Sequence, residues 1–341
     1  MEYSEVTRLL RSLCELKGTS GDEGAAAEKI CEMLGRYMPS KIDTLGNVTG
    51  TRGEGFSILL DAHTDQIGLA VTAVDDDGFI KVARVGGADC RVLTAAEVII
   101  HGKSDIYGVI TSTPPHLKAD SDSGKVKKFD EITIDIGMNK EEAEKIVSPG
   151  DRITFKAPFS HLAGNRIASP SVDDRAGVAA ILRCLQLLEG KKNCRIDVMF
   201  SAQEETGGSG AAAGAFNSQA DEAIACDVSF AAAPGLSEDK YVALGSGTMV
   251  GYAPSLDYAM SRRLTEIAEK KEIPHTAEVM GGSTGTNGDD IQVSGRGIKT
   301  ALLSIPTRNM HTAVEVVDAA DIENTARLMA EYIIERSAEN A

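Results

Sequence analysis

The feature that most constrains the fold is a change of rhythm at Gly68 that lasts to about Phe159. Across that stretch the sequence breaks into short β-prone runs between turn residues: LAVTAV from Leu69, FIKVARV from Phe79, EVIIHG from Glu97, IYGVIT from Ile106, EITIDIG from Glu131 and DRITFKA from Asp151. Strands this short, at this spacing, predict a small β-barrel or sandwich. The run KADSDSGKVKK, 118–128, reads as a charged loop within it. Residues 68–161 therefore read as an inserted all-β domain, carried by an α/β unit of residues 1–67 and 162–341.

The outer segments follow a different pattern. Leu9, Leu10, Leu13 and Leu16 share one helical face over residues 5–17, with Gly18 as the stop. A second helix is expected from Gly24 to Tyr37, with Ile30, Met33 and Leu34 inward and a break at Pro39. Phe56 to His63 reads as a buried strand whose end delivers polar residues. Helical patterns return at 176–188, 258–271 and 319–336, and strands at 196–200, 223–228 and 301–305. Such alternation predicts a mixed α/β sheet with helices on both faces. Ala211–Ala215 reads only as small-residue packing, and the glycines of residues 281–285 as a loop or a substrate wall. The chain has 341 residues, 42% of them hydrophobic, enough for such a core.

Charge and cysteine usage exclude other classes. There are 35 Lys and Arg against 51 Asp and Glu, a net −16, the wrong sign for neutralising phosphates along a nucleic acid. No run approaches the roughly 20 apolar residues that cross a bilayer. The opening Met1-Glu2-Tyr3-Ser4-Glu5 lacks the basic and apolar parts of a secretion signal. The 6 cysteines form no C-x-x-C pair and sit among apolar neighbours, as reduced thiols do. A cytoplasmic protein with neither membrane nor nucleic-acid partners is expected.

Polar residues gather at the predicted strand ends of the α/β part, where open sheets bind ligands. They are His63 and Asp65, Asp173 and Asp174, Glu204 and Glu205, Asp227 and His311. Each alone has a plain structural reading. His63 would be a core or surface histidine, Asp173-Asp174 a helix N-cap and Glu204-Glu205 a solvated pair. Together, in a chain with only 6 histidines, they offer two imidazoles and several carboxylates. That donor set suits Zn²⁺, Co²⁺ or Mn²⁺, and without cysteine it is unlike a structural zinc finger.

The spelling of these segments adds a resemblance. His63-Thr64-Asp65-Gln66-Ile67-Gly68, Val172-Asp173-Asp174-Arg175-Ala176-Gly177, Gln203-Glu204-Glu205-Thr206-Gly207, Ala225-Cys226-Asp227-Val228 and Pro306-Thr307-Arg308-Asn309-Met310-His311 occur in order. Over nearly the whole chain the sequence resembles the M42 family of dinuclear metallo-aminopeptidases, whose members form tetrahedral dodecamers called TET peptidases. The resemblance implies a zinc-peptidase-like α/β fold with a PDZ-like or barrel insertion, two divalent ions (zinc or cobalt first, manganese next) and short peptide substrates. It implies His63 with Asp227 on one ion, Glu205 with His311 on the other, and Asp173 as the bridging carboxylate. Asp174 would hold the helix start and Asp65 would hydrogen-bond His63, fixing its tautomer. Glu204 matches the general base that takes the proton of water and passes it to the departing amine.

Some positions depart from the family spelling. Gln66 stands where many members carry Glu, and Ser169-Pro170-Ser171 replaces Gly-Lys-Ala. Ala231-Ala232-Ala233-Pro234-Gly235 replaces an Asp-Thr-Pro-Gly-like stretch, and Gly285-Thr286-Asn287 replaces Gly-Thr-Asp. The last two are expected to line the substrate pocket. None removes a proposed ligand or the base. Three other readings remain open: an N-acyl amide deacylase with the same metals, a metal-free glycoside hydrolase using paired acids, and a non-catalytic assembly protein. His101, His116, His161 and His275 are taken as surface or insertion residues.

Overall fold

Strands buried on both faces occupy the middle of a sheet, and Ser57–His63 and Glu222–Phe230 are such strands in the computed structural model. The structure describes residues 3–114, 116, 126–191, 194–235 and 241–340. Most of the charged run predicted at 118–128 lies outside them.

The chain opens with α1 (Ser4–Cys14) and α2 (Gly24–Leu34), then β1 (Ser40–Ile42), β2 (Val48–Arg52) and β3 (Ser57–His63). Both helices end sooner than their apolar spacing suggests. Next come β4 (Gly68–Val74), β5 (Ile80–Val85), β6 (Glu97–His101), β7 (Asp105–Ile110), β8 (Thr133–Asp135), a one-turn α3 (Lys140–Ala143) and β9 (Arg152–Phe155). These six strands close a barrel in the order β4-β5-β8-β7-β6-β9. Its interior is aliphatic, with Leu69, Ile80, Val98, Ile100, Ile134 and Ile153 at its centre. The barrel is the all-β unit that the changed rhythm predicts.

From β10 (Ser160–His161) the chain returns to the large sheet, through β11 (Arg166–Ser169), α4 (Val172–Leu187), β12 (Arg195–Ser201), α5 (Ser209–Ser218) and β13 (Glu222–Phe230). It finishes with β14 (Thr248–Tyr252), α6 (Tyr258–Lys270), β15 (His275–Val279), α7 (Gly288–Val293), β16 (Lys299–Arg308), β17 (Glu315–Asp318) and α8 (Ala319–Glu339). Among the described residues the sheet has 11 strands, ordered β1-β2-β12-β3-β13-β16-β17-β11-β10, with β14 on β16 and β15 on β14. The run β12-β3-β13-β16 is parallel, so the carboxyl ends of its four strands meet along one edge.

Alternation along the central strands separates two cores. Ile58, Leu60, Ala62, Ile224, Cys226 and Val228 face the layer of α1, α2, α4, α6 and α8. Leu59, Ala223 and Ala225 face α5 and α7, with Met199, Ala211, Ile291 and Leu302. That second face turns polar toward the carboxyl ends, at Asp61, His63, Asp227 and Ser229. Helices thus cover both faces, and no described helix is long and apolar enough to cross a membrane.

Candidate metal centre

The pleat and the parallel register bring the polar strand ends together. His63 closes β3 and Asp227 lies near the end of β13; Glu204 and Glu205 follow β12 after a single turn. Asp173 enters α4, to Asp174 through a cis peptide bond, and His311 follows β16. The two oxygens of Asp173 serve different histidines: Oδ1 is 3.0 Å from His63 Nε2, and Oδ2 is 3.3 Å from His311 Nε2. Asp227 Oδ1 is 3.8 Å from His63 Nε2, and Glu205 Oε2 is 3.5 Å from His311 Nε2. Two triads result, His63-Asp173-Asp227 and Asp173-Glu205-His311, each with donor atoms within 4.8 Å of one another.

The neighbouring groups hold these side chains in place. His63 Nδ1 faces the backbone oxygen of Asp65 at 3.0 Å; an N–H donated there leaves Nε2 with a free lone pair. The Asp65 carboxylate, expected to bond that imidazole, lies 3.3 Å from it and chiefly accepts the backbone N–H of Glu204 (3.0 Å) and of Glu205 (3.1 Å). It thereby ties the end of β3 to the turn after β12. Asp174 accepts from the N–H of Gly177 at 2.9 Å and of His63 at 3.3 Å, the helix-start role expected for it.

Electrostatics mark the cluster as short of positive charge. Burial pushes Asp174 and Asp227 well above the usual carboxylate range. Burial, then the Asp173 charge, lifts Glu205 to about 8, and burial also raises Glu204. Asp173 is the exception: burial opposes its ionisation, but hydrogen bonds with His311 and His63 hold it well below its ordinary value. Its hydrogen bond raises His311 to about 9. His63 is also raised: burial works against its charge, but the Asp173 and Asp65 carboxylates more than offset that. Two imidazoles with several close, buried acids fit divalent cations, which would replace the protons the acids otherwise retain.

Several residues at the site escape a reading of the linear text. Glu315, at the start of β17, is buried, and its two oxygens accept the N–H of Asp173 (3.0 Å) and of His311 (2.9 Å). It fixes two candidate ligands by their backbone; its only sequence signal is an acid inside a short apolar strand. Gly86 and Gly87, just past β5 of the barrel, form a wall of the site. A Cβ on Gly87 would lie 2.1 Å from His311 Nδ1, and one on Gly86 3.1 Å from Glu205 Oε2. Arg175, in the first turn of α4, is fully buried, and burial lowers it to about 10.

A cavity of about 780 Å³ opens over the triads. Thr284, Gly285 and Thr286 line it as expected, but Asn287 does not. The Asn287 side chain turns inward and donates to Asp61 Oδ2 at 2.9 Å and to Ser201 Oγ at 2.7 Å. Nor do Ala231–Gly235 line the cavity; Phe230, Tyr241 and Val242 do. Ala231 instead donates its N–H to Thr307, and Ala232 to Val242. Two further departures meet each other, since the Ser171 hydroxyl donates to Gln66 Oε1. His101, His161 and His275 lie away from the triads: His101 contacts Asp105 and Thr154, His161 contacts Arg11, and His275 contacts the Ile273 carbonyl.

Comparison with known proteins follows the same outline. Residues 46–328 match the family model of the M42 glutamyl aminopeptidases. The chain is 34% identical over 330 residues to the lysyl aminopeptidase of Pyrococcus furiosus, covering 94% of each chain. An aminopeptidase structure from the archaeon Desulfurococcus kamchatkensis superposes with a TM-score of 0.93 at 32% identity, over 99% of this chain and 97% of that one. The TET1 peptidase of Pyrococcus horikoshii, described as assembling into a tetrahedron or a large octahedral shell, gives 0.87 at 33%, over 97% and 99%.

Proposed function

The chain belongs to the M42 glutamyl aminopeptidase family, and on that premise we propose how its residues divide the work. The protein is an aminopeptidase, a hydrolase of peptide bonds. His63 and Asp227 would hold one divalent ion and Glu205 and His311 a second, with Asp173 between them; zinc or cobalt is the first choice of metal, manganese the next. When bound, such ions supply an acidified water and polarise the scissile carbonyl. Glu204 accepts the proton of the attacking water at its carboxylate and returns it to the departing amine nitrogen. Burial raises its proton affinity toward the working range of a general base. Asp65 acts through its neighbours, orienting His63 and the turn that carries both glutamates.

The observation that carries this reading is the division of Asp173 between two histidines, with Glu204 beside the triads yet a member of neither. The Glu204 backbone is held by Asp65, and its side chain lines the cavity, open to a water and a peptide. We read residues 68–161 as the inserted domain, and the substrates as short peptides with a free amine. The protein would work in the cytoplasm as a homo-oligomer, a dodecamer by analogy with its TET relatives.

Replacing Glu204→Gln tests the assignment. Turnover of a free-amine dipeptide should fall by about 10²–10⁴-fold while metal content, measured by elemental analysis, stays at the wild-type level. Unaltered turnover would remove Glu204 as the base. Wild-type cleavage of an N-acetylated dipeptide in preference to the free amine would move the activity to deacylation.

A further inference from the structure

The cavity has two unlike walls. On one side stand Gly86 and Gly87 against Glu205 and His311, with Arg84 two residues before them on β5. On the other, the floor continues past Asp227 to Ser229, on the same face of β13 and about 7 Å farther along at strand spacing. There Glu278, projecting from β15, crosses β14 to the parallel core of the sheet. It accepts hydrogen bonds from the hydroxyls of Ser304 (2.7 Å) and Ser229.

Among the described residues these two hydroxyls are the hydrogen-bond partners of the Glu278 carboxylate, and no Lys, Arg or His pairs with it. Two hydroxyl donors hold it in one orientation and leave about half of its acceptor positions free. The carboxylate is half-buried and lines the cavity. Met249 and Met280 line the cavity near it, a surface suited to an aliphatic stem rather than a small side chain. A chain of about four carbons from an amino acid seated at Asp227 would bring a terminal cation to Glu278.

We infer that Glu278 makes this enzyme select peptides with an N-terminal lysine or arginine, by pairing with the side-chain cation at the Asp227 end of the cavity. The inference rests on the aminopeptidase reading above. Arg84 also lines the cavity, but from β5 of the barrel, and no ion pair joins it to Glu278 among the described residues. An N-terminal glutamate would meet the fixed carboxylate and be repelled.

The test is kcat/KM of the metal-loaded wild-type enzyme on lysyl, arginyl, leucyl and glutamyl 4-nitroanilides. Lysyl and arginyl substrates should exceed leucyl about 10- to 100-fold, with glutamyl the poorest. In Glu278→Gln the lysyl-to-leucyl ratio should fall by a similar factor, and in Glu278→Arg the glutamyl-to-lysyl ratio should rise. A wild-type enzyme that favours leucyl or glutamyl substrates overturns the inference and leaves the aminopeptidase reading standing, whatever becomes of the variants. A lysyl-to-leucyl ratio that stays put in Glu278→Gln removes Glu278 as its cause. No turnover of any of the four would instead sink the aminopeptidase reading itself, and this inference with it.

Discussion

A single methyl group on the barrel should disable a centre built by the large sheet. Gly87 packs so closely on His311 that a Cβ there would sit 2.1 Å from Nδ1 and 2.5 Å from Cε1. Ordinary contact begins at about 3.4 Å, so in Gly87→Ala the ring must retreat by roughly 1.3 Å. Gly87, unlike Gly86 at φ +69°, has no left-handed backbone, so alanine adds steric bulk without backbone strain. A displacement of about 1 Å at a reacting constellation costs on the order of 100-fold, and kcat/KM should fall by at least that much. The His311 side chain is 36% exposed and can swing outward, so the melting temperature should hardly move. Peptidase assays, a metal count by elemental analysis and calorimetry together check this. Full activity with an unchanged metal count would show that His311 does not need its present position, and the second triad would lose its warrant.

Other perturbations follow from the same contacts. Asp65→Asn replaces one acceptor oxygen with an NH₂, stranding the N–H of Glu204 or Glu205; calorimetry should show a loss of about 1–3 kcal/mol, and metal titration a 10–100-fold weaker affinity. Wild-type affinity in that variant would remove Asp65 from its positioning role. In metal-free protein Glu205, raised to about 8, and His311, raised to about 9, keep protons that the unfolded chain releases near 4.5 and 6.5. Their stabilisation is complete below those unfolded values and is lost as pH rises through the folded ones. Chelator-treated protein should therefore melt progressively lower across that window while metal-loaded protein does not; parallel curves would contradict it. Far from the site, Glu222 accepts from Tyr332 Oη (2.8 Å) and from Arg336 Nε (3.0 Å) and Nη2 (2.7 Å). Glu222→Ala should cost about 3–5 kcal/mol in urea unfolding, with kcat of the folded enzyme intact; a loss below 1 kcal/mol would make that network ornamental.

The elements that sequence revealed are those whose apolar residues repeat. Each of the six barrel strands is foreshadowed by its own run, because alternation with turn residues between is all a small barrel requires. Helix α5 is not foreshadowed. Its segment is mostly alanine and glycine, packed so tightly that a Cβ on Gly214 would lie 2.1 Å from Met199 Sδ and one on Gly210 2.2 Å from the Ala202 carbonyl oxygen. Close packing by absent side chains leaves no periodicity to read. The candidate ligands were legible because acids and histidines at strand ends have few structural uses in combination. Glu315 was not, since its part is to accept two backbone N–H groups, which no spacing in the text announces. Asn287 shows the opposite failure: adjacency to Thr286 suggests the cavity wall, but the first turn of α7 rotates its side chain beneath β3.

The two triads draw on positions from 63 to 311, and Glu315 braces both. No amino-terminal fragment that stops before the last strand, β17, contains the full set, whatever else it has managed to fold. At about 5–20 residues added per second, a ribosome spends tens of seconds between His63 and Glu315. During that interval the growing polypeptide lacks part of the proposed centre. On the assignment proposed above, completing the chain is what assembles the hydrolytic centre, so an unfinished copy cannot trim the nascent chains around it.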